Sequence, residues 1–345
     1  MSYDLYIACP HGNQATQLRL LVTERDPLPQ YLQCIHGRRD RRTKELEPGE
    51  FNQLIANELS RLQSLGIKQA AMPDLQHLPT GTWFLQLTFT LAKPYISKDD
   101  DPFYVAESVN PVRKDKVFKV PMVSAASWKG LLRWTAMQVR LAEKKKALSD
   151  QEFAKERFRQ TRLFGDEKGE EPGAAKDFAK YLNDMRPHAV SHYQQLVKQY
   201  FGLDANAKEL PHHSGRLMCY PTFFNLIDVE VINPHSRKTK AGTHPIYLEC
   251  VPDGAQGTFS LLYVPFDLIG QPNEEIIKQA NADSQIIAEA IGAMMLTYGF
   301  SAKRTSGYGA AEDAIMGVVK TGADERQFKD ITFSKLVQEV ANVAF

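Results

Sequence analysis

Two short stretches of this chain carry residue types that could grip a polyanion. The first is Ser124-Ala-Ala-Ser-Trp-Lys-Gly-Leu-Leu-Arg133. It reads as a helix start. The Ser124 hydroxyl can cap the first turn, and the remaining first-turn N–H groups stay open to an anion that the helix dipole favours. Lys129 and Arg133 are four residues apart and share a face. An ordinary capped surface helix fits the same residues. The second stretch is Gly299-Phe-Ser-Ala-Lys-Arg-Thr-Ser-Gly-Tyr-Gly309. Its glycines allow positive φ and close approach of the backbone to a ligand. Lys303, Arg304, Thr305 and Ser306 offer cations and hydroxyls to phosphates, and Tyr308 can stack on a base. The order G-x-x-x-x-G-K-[ST] is absent, so this is not a Walker loop. A plain connecting loop with a Gly cap is the alternative.

Other clusters are weaker. Ile232-Asn-Pro-His-Ser-Arg-Lys-Thr-Lys240 is a basic loop between expected strands, with His235 and Arg237 inside it. It is either a nucleic-acid-facing projection or a solvated hairpin tip. The basic run from 36 to 44 could touch RNA or a neighbouring subunit, or be a solvated loop. Asp99, Asp100 and Asp101 are adjacent carboxylates, a pattern more typical of a solvated loop tip. His212 and His213 are neighbours, and His188 and His192 stand at i,i+4 without an H-E-x-x-H glutamate. A zinc site needs three or four converging ligands, so no metal site is expected. No G-x-S-x-G is present.

The elements that must position these groups follow from periodicity. Helical spacing predicts a helix over 50–65, and a strand over 83–91 comes from an alternating aromatic and β-branched run. Helices are predicted over 124–148, 150–160, 178–200, 273–298 and 333–343, and strands over 217–231, 246–251, 258–266 and 308–319. The collapsed order is β-α-β-β-α-β, with an insertion at about 166–210. That order fits an α+β, ferredoxin-like (RRM-like) core, whose open sheet face serves single strands in RNA-recognition modules. Residues 1–75 read as an appended N-terminal module and 82–345 as the main domain.

Forty-two Lys and Arg stand against 41 Asp and Glu, for a net charge of +1. Any nucleic-acid site is therefore a local patch, not a global field. Cys9, Cys34, Cys219 and Cys250 are scattered, without a C-x-x-C pair, and read as reduced thiols. No apolar run approaches the roughly 20 residues that span a bilayer, and the first residues lack signal-peptide regions. A cytoplasmic protein with no membrane partner is expected.

The ordered set Asn110-Pro-Val, Val120-Pro-Met, the Ser124 helix, Arg162-Leu-Phe-Gly165, Ser214-Gly-Arg-Leu217, Leu248-Glu-Cys-Val-Pro-Asp-Gly-Ala255 and the final glycine-rich loop resembles the RAMP superfamily of CRISPR-associated proteins. These are backbone subunits of type III effector complexes, which serve antiviral defence. The resemblance covers about residues 82–316. It implies a guide-RNA-binding structural subunit that grips the RNA backbone and supports target RNA recognition within a hetero-oligomer. The partners implied are guide RNA (crRNA), target RNA and other effector subunits. The RNA-facing set is then Ser124, Ser127, Lys129, Arg133, Arg237, Lys303, Arg304, Thr305, Ser306, Gly307 and Tyr308.

In target-cleaving members of the family an Asp precedes the Pro of the Asp-x-Pro-Val turn by two residues. Here that position is Val109, which can neither activate a ribose hydroxyl nor hold a metal. The alternative reading is a metal-assisted endoribonuclease that uses Asp99, Asp100 or Asp101 with a divalent ion such as Mg. Absent cleavage, no cofactor is implied. His235 is a weaker candidate for processing of precursor guide. A third reading, from a different class, is an interaction subunit that binds no RNA.

Overall fold

The computed structural model describes residues 32, 34–35, 49–98, 109–169, 175–204, 206–207, 212–234 and 245–343. The chain runs through α1 (Glu50–Ser64), β1 (Trp83–Leu91) and two short strands, β2 (Val109–Asn110) and β3 (Met122–Val123). It then forms α2 (Ala125–Met137), α3 (Asp150–Phe164), α4 (Asp177–Met185) and α5 (Val190–Tyr200). Strands β4 (Leu217–Cys219), β5 (Thr222–Phe223), β6 (Asp228–Ile232), β7 (Ile246–Cys250) and β8 (Gln256–Tyr263) follow. Last come α6 (Asn273–Ala293), β9 (Ala311–Thr321), β10 (Glu325–Ile331) and α7 (Phe333–Ala341). The fold is mixed α+β with antiparallel pairing throughout its main sheet.

That sheet has the order β10-β9-β1-β8-β4. β1 lies at its centre, antiparallel to β8 and to β9. The reason is visible in its sequence. Trp83, Leu85, Leu87, Phe89 and Leu91 point to one face and are buried in the main core. There they meet Trp128 and Leu132 of α2 and Ile287 and Ile291 of α6. Phe84 of the other face joins a smaller cluster with Leu75, Leu262 and Val264. A second sheet, β2-β7-β6, pairs β2 parallel to β7, and β3 pairs with β5.

Several elements differ from the periodicity-based expectation. The helix predicted over 178–200 is two helices, α4 and α5. Pro187 divides them, because the residue before a proline is pushed out of the helical region, and Arg186 sits at φ −147 and ψ 77. The strand predicted over 217–231 is three pieces. Pro221, which has no N–H to donate, falls between the first two. α2 and α6 are shorter than predicted, and each ends in a π turn, Gln138–Ala142 and Met294–Tyr298. α3 starts where Ser149 and Glu152 form a reciprocal capping box. Strand β10 was not anticipated; its alternation of Glu325, Gln327 and Lys329 with Arg326 and Asp330 hides an edge strand among charges.

α1 lies within the expected N-terminal module. Its Ile55, Leu59 and Leu62 belong to the main core, and Asn52 exchanges hydrogen bonds with the backbone of Ile227. The expected insertion carries a separate cluster, in which Leu182, Ala189, Tyr193 and Val197 pack on Met137, Leu141, Phe153 and Ala154.

Candidate functional site

Ser124 caps α2. Its backbone is extended, and its hydroxyl accepts the Ser127 N–H at 3.2 Å and lies 2.8 Å from the Ser127 hydroxyl. Lys129 and Arg133 do share a face, and that face meets the chain's own backbone. Lys129 Nζ donates to the Ser214 carbonyl at 3.0 Å. Burial lowers its pKa. Arg133 donates to the carbonyls of Asp166 at 2.6 Å and Gly165 at 3.1 Å, with its guanidinium 5.1 Å from the Phe178 ring centre.

The Gly165 and Ser214 carbonyls lie in two of the motifs, and Asp166 directly follows the first. Leu163-Phe-Gly165 and Ser214-Gly-Arg216 run against each other, with the Arg216 N–H donating to Leu163 O at 3.0 Å. Gly165 and Gly215 have φ of +93° and +73°. A Cβ on Gly165 would come within 2.6 Å of His213 O, and one on Gly215 within 2.7 Å of Leu163 O. Only glycine fits there. Behind them Arg216 is buried. Its Nε donates to Asp267 Oδ1 at 2.8 Å and its second terminal nitrogen to Asp267 Oδ2, while the first reaches Asp283 at 2.8 Å and the Tyr263 hydroxyl at 3.1 Å. Arg159 also holds Asp283, at 2.9 Å. Buried charges of this kind persist when paired and fully hydrogen-bonded.

A second motif pair holds the Pro111 turn. Glu249 accepts the Val112 N–H at 3.1 Å and an N–H of Lys114. Burial pushes its carboxyl up to about 8, against the lowering effect of the Val112 N–H. Val109 itself is buried in β2, opposite Tyr247.

The glycine-rich loop is arranged differently. It is pinned at both ends to the strand exit after β1. Ser301 Oγ donates to Ile96 O at 2.8 Å and accepts the Ile96 N–H at 2.7 Å, and Gly309 N donates to Pro94 O at 2.8 Å. Underneath, Phe300 packs on Trp128 and Phe89, with ring centres 5.0 and 5.6 Å apart. Lys303 adopts the left-handed conformation at φ +55°, and Gly307 follows at φ +85°. Lys303, Thr305, Ser306 and Gly307 are exposed. Arg304 turns inward, its guanidinium 4.3 Å from the Trp134 ring centre, a cation–π geometry. Tyr298 meets the same indole edge-on at 5.0 Å. Tyr308 donates to Glu230 Oε1 at 2.9 Å, and its hydroxyl pKa is pushed up to about 12, by burial first and the Glu230 bond second. Lys93, Pro94, Glu230, Ile232 and Asp253 complete a cavity of about 510 Å³ with Lys303, Ser306, Gly307 and Tyr308.

Lys93, Glu230 and Asp253 were not anticipated. They lie far apart in sequence, and only the β6–β7 pairing and the loop anchors bring them together. The Ser124 helix and the loop meet through Trp128–Phe300 and Trp134–Arg304. Asp99, Asp100, Asp101, His235 and Arg237 lie outside the described residues. His212 Nδ1 is 2.9 Å from Asp166 Oδ2 on the surface. Among the described residues no group of three His, Cys, Asp or Glu side chains is placed to hold a metal ion, and no helix is long and apolar enough to cross a membrane.

The sequence profile of the RAMP superfamily matches residues 105–312, more than half of the chain and all of the motif pairs above. The chain belongs to the RAMP superfamily. No curated protein matches it. Among solved structures, this RAMP chain is similar to a chain of the type III-B Cmr-β complex bound to cognate target RNA. Identity there is 12%, with 94% of this chain and 81% of that one covered and a TM-score of 0.41. It is similar to a chain of the Csm3–Csm4 subcomplex of a type III-A CRISPR-Cas interference complex, at 11% identity, covering 76% and 97%, with a TM-score of 0.34. Cmr6 from Pyrococcus furiosus overlaps at 16% identity, covering 67% and 97%, with a TM-score of 0.30.

Proposed function

We propose that this RAMP protein is a guide-RNA-binding structural subunit of a type III CRISPR effector complex, acting in the cytoplasm beside other effector subunits and supporting recognition of target RNA. The observation that carries the reading is the glycine-rich loop. It lies within the matched stretch, is fastened at both ends, and presents Lys303, Thr305 and Ser306 outward. Cations and hydroxyls on a fixed loop are what phosphate oxygens need. A ferredoxin-like core agrees with this. Strand, helix, strand, strand, helix and strand occur in that chain order as β1, α2, β4, β8, α6 and β9, with β9-β1-β8-β4 adjacent in the sheet. The burial of Val109 supports a binding role over cleavage at that position.

The test is co-expression with neighbouring effector subunits and a repeat–spacer array, followed by purification through this chain and sequencing of the RNA retained. RNA of guide length with a constant repeat-derived end is expected. Lys303→Ala combined with Ser306→Ala should lower retention, and affinity should fall steeply with salt. An assembled complex free of RNA would sink the proposal.

A further inference from the structure

The cavity beside the glycine-rich loop holds charges of both signs that a phosphate grip does not need. Lys93 and Lys303 line it together with Glu230 and Asp253. Among the described residues none of these four is in an ion pair. Glu230 is nevertheless fixed in place by the Tyr308 hydroxyl at 2.9 Å. Two carboxylates at the wall repel a ligand that is phosphate alone. A nucleotide within a strand is different: it brings one phosphate for the cations and a neutral base for the acids.

Building on the RNA-binding reading, we propose that this cavity takes one unpaired RNA nucleotide and that Glu230 and Asp253 select guanine. The volume, about 510 Å³, is in the range of pockets that enclose a small organic ligand. Ile232 and the Tyr308 ring give the base apolar and aromatic walls, and stacking of this kind is how single-stranded RNA is held. An ionised carboxylate is an acceptor only. Guanine alone offers adjacent N1–H and N2–H donors on its pairing edge. Adenine and cytosine set an acceptor beside their amino group, and uracil flanks one N–H with two carbonyls. All three would face carboxylate oxygens with lone pairs. Lys303 and Lys93 then take the phosphate of the same nucleotide.

The experiment uses the full chain and fluorescein-labelled RNA decamers: U10 and the same strand with one central G, A, C or inosine, read by anisotropy. The G strand is expected to bind about tenfold tighter than U10. Inosine, which lacks the N2 amino group, should fall between them. Glu230→Gln should bring the guanine advantage close to onefold, and so should Asp253→Asn, on an exposed turn where folding is not at stake. Tyr308→Phe keeps the ring, releases Glu230 and should shrink the advantage in part. Equal affinity for all decamers overturns the guanine pocket and leaves backbone gripping intact. Binding of no decamer overturns both.

Discussion

The α2 face and the glycine-rich loop carry similar residues and use them in opposite ways. Lys129 and Arg133 turn toward the chain and satisfy the carbonyls of Gly165, Asp166 and Ser214. Lys303 and its hydroxyl neighbours turn toward solvent from a loop whose ends are fastened. Within the loop the same division recurs, since Arg304 lies on Trp134 while Lys303, one residue earlier, stands in the left-handed conformation. Residue type therefore states which groups are capable of holding a phosphate. Which of them are free to do so depends on whether nearby carbonyls already occupy them.

If the first region is structural, breaking it should cost stability. The largest effect is expected at the buried hub: Arg216→Met leaves Asp267 and Asp283 without their shared partner and should destabilise by about 3–5 kcal/mol in urea unfolding. Arg133→Met, which strips two charged hydrogen bonds from the Gly165 turn, should lose about 2–3 kcal/mol. Gly215→Ala, at φ +73°, should lose about 1–3 kcal/mol by strain. A loss below about 0.5 kcal/mol for all three would erase the contrast between the regions.

A pH measurement sharpens it. Cys219 lies close enough to Lys129 to feel its charge, and burial raises its thiol from 9.0 to about 12. A raised thiol adds stability that is complete below 9.0 and is lost as pH climbs toward 12. Between pH 8 and pH 10 the wild type should lose about 1.4 kcal/mol that Cys219→Ser does not lose. Parallel pH–stability curves would place Cys219 in water. The smallest stability effect belongs to the loop. Lys303→Ala should stay within about 0.5 kcal/mol of wild type, while the slope of log affinity against log salt falls by about 0.7–0.9.

How far the sequence could be read follows the same division. The alternation of Trp83 to Leu91 and the spacing of α6 declare themselves locally, because each residue's neighbours along the chain determine its face. The Ser124 cap is equally local. The pairing of Gly165 with Gly215, and of Val112 with Glu249, is not: each joins segments that only the finished fold brings into contact. The motifs could be listed in order from the sequence, but the reason for their residue types lies in these cross-chain contacts. The cavity acids were invisible for the same reason. Glu230 reads as one exposed-face residue of a strand until Tyr308 arrives from 78 positions away to hold it. Arg304 was legible as a cation but not as a stacked one, because nothing near it in sequence announces Trp134.

That stack also makes the loop observable. Of the three tryptophans, Trp83 and Trp128 are fully buried, and Trp134 is partly buried with a guanidinium over its face. A change in the loop that lifts Arg304 alters the surroundings of one indole and leaves the other two as they were. The protein thus carries an intrinsic optical reporter: emission near the red edge of its tryptophan band tracks the loop without any label, and Trp134→Phe silences it.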